Sequence, residues 1–349
     1  MRKKNMLIYA AIFVLTAVWA LPAFSASEPA EKKTLRWAYT MPSKKSFSYG
    51  WEMLGPEFEK RTNGRYKVEY YPGETLFKGI AGFDSVLSGV AQIANVSMGQ
   101  IEKRVPLTSV TLLPVLDFPN SLKGRLAAGN ALMEMYRKNP QMQEEFKGLK
   151  LFGYHQMNPY ILASKSKEIY LPEHFKGLKV GGTGSKMKII SNYGGAEVSQ
   201  IPPDTYVNMS RGVVDASLLS WSQIWDYKLW EVAKYFYDMS FSGGAQAMVM
   251  NAAAWNGMSP EDQKIFTEIW SRTYVAAAEK SYNEATKGPK AVVDSGGKIR
   301  KPAAAEMPAW RKAAAPIVEK WIATAKKGKA GDPQAVLAEW QRHIDAFKD

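Results

Sequence analysis

Apolar and polar residues alternate along Thr34–Tyr39 as they do in a half-buried strand, and Tyr66–Tyr71 repeats the pattern. Between them Trp51, Leu54 and Phe58 share one face of a helix over Ser46–Arg61, and Thr62-Asn63-Gly64-Arg65 supplies a turn. Gly79–Leu87 has helical spacing and Gln92–Val96 is a short apolar run, giving a β-α-β-α-β rhythm. Strand-like runs return at Lys150–Tyr154, Tyr160–Ser164 and Leu178–Val180, the last followed by Gly181-Gly182-Thr183-Gly184 and a helix through Ile189. This second unit repeats the first in rhythm but not in sequence. The alternation predicts mixed α/β sheets whose loops gather at the carboxyl ends of the strands, where such folds bind ligands.

The last third is helical. At Ser259-Pro260-Glu261-Asp262 a serine caps, proline takes the first helical position, and two acids meet the positive end of the helix dipole. Ile265, Ile269, Trp270, Tyr274 and Tyr282 then recur at helical spacing until Gly288-Pro289. A helix over Ser259–Lys287, about 28 residues at about 1.5 Å each, makes a rod of about 42 Å that is longer than one small domain and predicts a helix lying along two. Trp310, Ile317, Trp321, Val336 and Trp340 mark two further C-terminal helices.

Length fits this division: 349 residues suit two domains of roughly 100–200 residues each. Cysteine is absent and only His155, His174 and His343 represent histidine. That excludes disulfides, Cys nucleophiles, Cys-ligated zinc and iron–sulfur clusters, and leaves His-rich metal sites and Ser-His-Asp schemes poorly supplied. P-loop, HExxH, GxSxG and EF-hand spacings do not occur. Gly181–Gly184 lacks the GxGxxG spacing, Glu144-Glu145 reads as a solvated helix face, and His155 at a strand end reads as a packed residue. No catalytic set and no cofactor are therefore expected, whereas 11 Trp and 17 Tyr suit an aromatic-walled binding protein.

The formal charge of +13 is dispersed, its densest stretch being Lys326-Lys327-Gly328-Lys329, so no nucleic-acid footprint is expected. At the start, Arg2, Lys3 and Lys4 precede the apolar run Met6–Ala20, then Pro22 and the small residues of Ala23-Phe24-Ser25. The run is shorter than the about 17–25 apolar residues of a membrane span. Residues 1–25 thus read as a cleaved signal peptide, with a mature chain starting near Ala26, and no Cys stands at the junction for a lipid anchor. A soluble periplasmic monomer is expected.

The mature chain resembles the substrate-binding proteins of tripartite ATP-independent periplasmic (TRAP) transporters, the DctP-like family. The resemblance is carried by Thr62-Asn63-Gly64-Arg65 leading to Tyr71-Pro72-Gly73 and Leu76, by Leu113-Pro114, and by Phe175-Lys176-Gly177-Leu178-Lys179-Val180. It continues in Asp204-Thr205-Tyr206, Gly212-Val213-Val214-Asp215, Lys228–Tyr235, and Asn251, Trp255 and Met258–Gln263. It implies a two-lobed periplasmic binding protein fold with a long helix spanning both lobes and C-terminal helices. The implied lobes are 34–158 with about 246–287, and 159–245 with about 288–349. The implied role is capture of a small organic acid or similar polar metabolite, with an aromatic or apolar body, for delivery to the membrane subunits of a TRAP permease. A ligand-binding partner of a membrane sensor and a secreted α/β enzyme are the alternatives.

One departure bears on the ligand. The family's GLK-apolar stretch is usually followed by an Arg that clamps a substrate carboxylate through two parallel hydrogen bonds. Here that position is Gly181, followed by Gly182; the glycine of the family's VDG is Ala216, and the Asn often found after it is Leu219. The resemblance places ligand contacts at Tyr39, Phe77, Lys78, Ser97, Tyr160, Ile161, Gly181, Gly182, Trp221 and Trp225. With Gly181 in place of the clamping Arg, an anion needs another cation, and Lys78 is the candidate.

Overall fold

Trp37, Ala38 and Tyr39 are all buried, although alternation predicts a half-buried strand. Their strand is central, so Leu35, Trp37 and Tyr39 face one core cluster and Ala38 faces another. The structure, a computed structural model, describes residues 32–114, 118–182, 184, 187–241, 244–327 and 331–347. The expected signal peptide lies outside the described residues, as does Thr183 in the glycine cluster.

The strands of the first half are β1 (Lys33–Tyr39), β2 (Tyr66–Tyr71), β3 (Ile93–Ser97), β4 (Leu149–Gln156) and β5 (Tyr160–Ser164). Those of the second half are β6 (Lys179–Gly182), β7 (Ala196–Ser199), β8 (Ala216–Ser220), β9 (Tyr235–Phe241), β10 (Ala245–Asn251) and β11 (Lys298–Arg300). They form a five-stranded sheet, β2-β1-β3-β10-β4, and a six-stranded sheet, β11-β9-β5-β8-β6-β7. In the first, β1 is parallel to β2 and β3, while β10 inserts antiparallel between β3 and β4. In the second, β6 is parallel to β7 and β8, and β5 lies antiparallel between β8 and β9. Each sheet thus takes one strand from the other half of the chain: β10 returns to the first sheet after β9, and β11 then adds to the edge of the second beside β9. That exchange makes two lobes joined three times, by the short connections β4–β5 and β9–β10 and by the long helical segment between β10 and β11.

The long helix is Pro260–Asp294, 35 residues or about 52 Å. Ser259 caps it, accepting a hydrogen bond from the Asp262 N–H at 3.1 Å. The sequence predicts a break at Gly288-Pro289, but the helix runs through it. Gly288 serves close packing there: a Cβ would lie 2.5 Å from the Trp221 carbonyl oxygen and 3.1 Å from its ring. Ile265, Phe266, Ile269, Trp270 and Ala277 on the first half pack with Trp37, Trp51, Phe58 and Met248 beside the five-stranded sheet. Ala285 and Val292 on the second half pack with Ile161, Trp221 and Phe236 beside the six-stranded one. One rod therefore braces both lobes.

The helix Met307–Lys327 bridges as well. Trp310 Nε1 donates to the Tyr170 carbonyl at 3.0 Å, and Trp321 Nε1 donates to the Pro106 carbonyl at 2.8 Å. The last helix, Pro333–Ala346, buries Val336, Trp340 and Ile344. Among the described residues no helix is long and apolar enough to cross a membrane.

Candidate functional site

The five-stranded sheet brings the ends of β1 (Tyr39), β3 (Ser97) and β4 (Gln156) to one edge, beside the start of β10 (Ala245). The six-stranded sheet answers with the ends of β6 (Gly182) and β8 (Ser220) and the start of β5 (Tyr160), which pairs with Ser220 and Phe241. The chain passes from one edge to the other through Met157-Asn158-Pro159 and again between Phe241 and Ala245. Neutral amides and hydroxyls tie this junction. Asn158 Nδ2 donates to Ser222 Oγ at 2.7 Å and to Ser281 Oγ at 3.2 Å, and Gln156 Nε2 donates to the Gly244 carbonyl at 2.5 Å.

The residues expected at the ligand divide into three groups. Tyr39, Ile161 and Trp221 are core: Tyr39 and Ile161 are fully buried, and Trp221 is stacked on Phe236 with ring centroids 5.8 Å apart. The Tyr39 hydroxyl donates to Glu52 Oε1 at 2.5 Å, and burial together with that carboxylate pushes its pKa up. Phe77 is buried against Gly82 and Val96, so it supports the loop before the helix Gly82–Leu87. Lys78 is exposed and Trp225 is half-buried. The Lys78 side chain is 81% exposed and its Nζ stands 3.6 Å from Glu74 Oε2, the geometry of a solvated lysine. Trp225 stacks on Trp230 at 5.4 Å with Lys287 Nζ 5.4 Å from its ring centroid.

The third group comes together at the lobe edge. Tyr160 and Gly182 line a cavity of about 20 Å³ with Gln200, Thr205, Ser217 and Leu219. Burial raises the Tyr160 pKa, keeping its phenol neutral. Gly181 and Gln200 are coupled by space: a Cβ at 181 would lie 2.0 Å from Gln200 Nε2 and 2.4 Å from its Cδ. The Gln200 amide thus fills the volume that a side chain at 181 would take. The opposite lobe has a similar pair, with the Gln100 amide 2.0 Å from where a Cβ on Gly79 would stand. For Gln200 the sequence carries one signal: a glycine at 181, where the resemblance leads one to expect a large side chain, leaves space that some other side chain fills.

A larger cavity, about 380 Å³, lies at the far end of β5, lined by Ser164, Tyr170, Tyr235, Tyr237, Lys298 and Arg300 among others. Ser164 is four residues along β5 from Tyr160, about 13 Å away. Both cations of this cavity are engaged, Lys298 with Glu168 at 4.0 Å and Arg300 with Glu306, so it is a groove apart from the lobe edges. Two buried groups near the junction also carry shifted pKa values. Burial pushes His155 down to about 3, and it lowers Arg125, whose guanidinium stands 4.9 Å from the Tyr282 ring centroid, to about 10. Among the described residues no His, Asp and Glu side chains cluster to hold a metal ion.

Residues 37–324 match the sequence profile of bacterial extracellular solute-binding protein family 7, DctP. A solute-binding protein of Albidiferax ferrireducens is 31% identical over 179 residues, and the match spans about half of either chain, 51% of each. The 2,3-diketo-L-gulonate-binding periplasmic protein YiaO of Escherichia coli is 24% identical, over 70% of this chain and 73% of its own. A TRAP periplasmic solute-binding protein of Desulfovibrio salexigens, solved as an open complex, superposes with a TM-score of 0.79 at 25% identity. That superposition covers 91% of this chain and 97% of the other. With two α/β lobes, two connections and a spanning helix, this chain belongs to family 7 of the bacterial extracellular solute-binding proteins, the DctP-like proteins of TRAP transport.

Proposed function

We propose that this protein is exported to the periplasm, loses its signal peptide near Ala26, captures a small organic acid between its lobes, and delivers it unaltered to a TRAP permease. The observation that carries this reading is that the chain passes between the two sheets by two short connections, from Gln156 to Tyr160 and from Phe241 to Ala245, so that strand ends of both sheets flank the crossings. Strand ends of open α/β sheets leave backbone groups and loop side chains free to meet a ligand, and connections shared by two lobes act as a hinge. The relative named for 2,3-diketo-L-gulonate supports an acid as the solute class. We assign residues 34–158 with about 246–287 to lobe I, and 159–245 with about 288–349 to lobe II, with the C-terminal helices touching both. The ligand contacts we assign are Ser97 at the end of β3 and Tyr160 and Gly182 at the small cavity, with Gly181 beneath the Gln200 amide and with Phe77, Ile161 and Trp221 shaping the walls behind them.

Mass spectrometry of protein purified from its native host and denatured gently tests the reading. A small carboxylic acid is expected, at up to one equivalent, returned chemically unchanged after long incubation with the protein. A chemically altered ligand would overturn binding without turnover, and a ligand with no acid group would overturn the solute class.

A further inference from the structure

Gln200 is 7% exposed and its amide is held on both sides. Nε2 donates to Thr205 Oγ1 and to Ser217 Oγ, each at 3.1 Å, and Oε1 accepts from Asn208 Nδ2 at 2.8 Å. Ser217 Oγ in turn donates to the Gly181 carbonyl at 3.0 Å, so strand β6, strand β8 and the helix Thr205–Ser210 lock one side chain. Both amide protons are used, as is the Ser217 proton. On these two residues of the cavity lining, the Thr205 hydroxyl proton and the second lone pair of Gln200 Oε1 are left over. One donor and one acceptor match a hydroxyl, and about 20 Å³ suits a group the size of one water.

No charged side chain lines this cavity among the described residues. A carboxylate brought here loses its hydration and gains no counter-charge, whereas a hydroxyl, carbonyl or amide exchanges one hydrogen bond for another. A cation at 181 is also barred while Gln200 holds its place, because any Cβ there falls inside the Gln200 amide.

We propose that Gln200, seated on Gly181, sets the specificity of the cleft: this wall receives an uncharged polar substituent, so the solute is a monocarboxylate bearing hydroxyl or carbonyl groups rather than a dicarboxylate. This rests on the organic-acid reading above and narrows it.

Two matched series test it by titration calorimetry and thermal shift. One is benzoate, 3-hydroxybenzoate and isophthalate; the other is butyrate, 3-hydroxybutyrate and succinate. In any series that binds, the hydroxy acid is expected to bind tightest and the dicarboxylate at least about tenfold more weakly. Gln200→Met, which keeps the volume, should abolish the preference for the hydroxy acid over the unsubstituted one. Gln200→Glu, nearly isosteric, should weaken the hydroxy acid by about tenfold or more. A dicarboxylate that binds the parent protein as tightly as its hydroxy acid overturns the proposal while leaving the organic-acid reading intact, and this arm needs no variant to fold. An unchanged preference in a folded Gln200→Met protein overturns it too. If no acid of either series binds while a neutral solute does, the organic-acid reading itself fails.

Discussion

His155 sits in a cage of rings, with Tyr274 stacked on it at 4.5 Å and Phe47, Trp51 and Trp270 within 5.0–5.8 Å. Trp51 Nε1 donates to its Nε2 at 3.0 Å, so the proton of the neutral ring is on Nδ1. Burial holds its pKa near about 3, below the about 6.5 of an unfolded chain. The folded state therefore binds fewer protons than the unfolded one between those values. The stabilising contribution is complete above pH about 6.5 and is lost as pH falls toward 3. Urea unfolding of the parent and of His155→Gln should converge by about 2 kcal/mol between pH 7.5 and pH 5. Asp226, pushed up to about 6 by burial and by Glu284, works in the opposite direction. It is common to both proteins and cancels in the difference. Trp221 gives a second expectation at this scale. Stacked on Phe236 and packed against Gly288, it is a core residue, so Trp221→Ala should lower stability by about 3–5 kcal/mol. Chemical denaturation checks the magnitude, and a fully stable Trp221→Ala protein with weakened ligand binding would return Trp221 to the cleft surface.

Among the elements, strands and helices with a strong period were legible from residues alone. Tyr66–Tyr71 forms as its alternation predicts, Tyr160–Ser164 is the strand its apolar run predicts, and the serine, proline and acids at 259–262 start the long helix. Other elements were not. Ala245–Asn251 is buried on both faces, so its sequence has no alternation to read. Leu122–Lys138 carries two glycines and begins at Ser121, which accepts from the Gly124 N–H as a cap, yet its buried face includes Arg125. The end of the long helix was misread for a related reason. Glycine and proline interrupt helices by local propensity, by about 1 and 3 kcal/mol respectively, but Gly288 faces Trp221 and Gly50 on the helix Phe47–Arg61 faces Thr273 and Ala277 of the rod. A Cβ on Gly50 would lie 2.5 Å from the Thr273 carbonyl oxygen. Gly50→Ala and Gly288→Ala should each lower the melting temperature although alanine is the better helix former. Calorimetry showing either variant stabilised would mean that the helices can separate at no cost.

At the scale of the whole molecule, the two sheets are joined by β4–β5 and β9–β10 and braced by one helix about 52 Å long. The proposed hinge places any bending at the two short connections, with the rod packed on both lobes. Small-angle scattering should show a smaller radius of gyration at ligand saturation than without ligand; identical profiles would exclude closure. The sequence by itself determined the α/β rhythm, the start of the long helix and the absence of cysteine chemistry, because these depend on local periodicity, capping and residue inventory. The family resemblance added that Gly181 stands where the related sequences usually carry an Arg. Only the tertiary structure decided what that glycine is for. Gln200 is nineteen residues away along the chain and on another strand connection, and nothing local tells its amide to fill the space above Gly181. The same holds for Tyr39 and Trp221, whose aromatic character fits a core or a cleft equally, until the packing of distant helices put them inside.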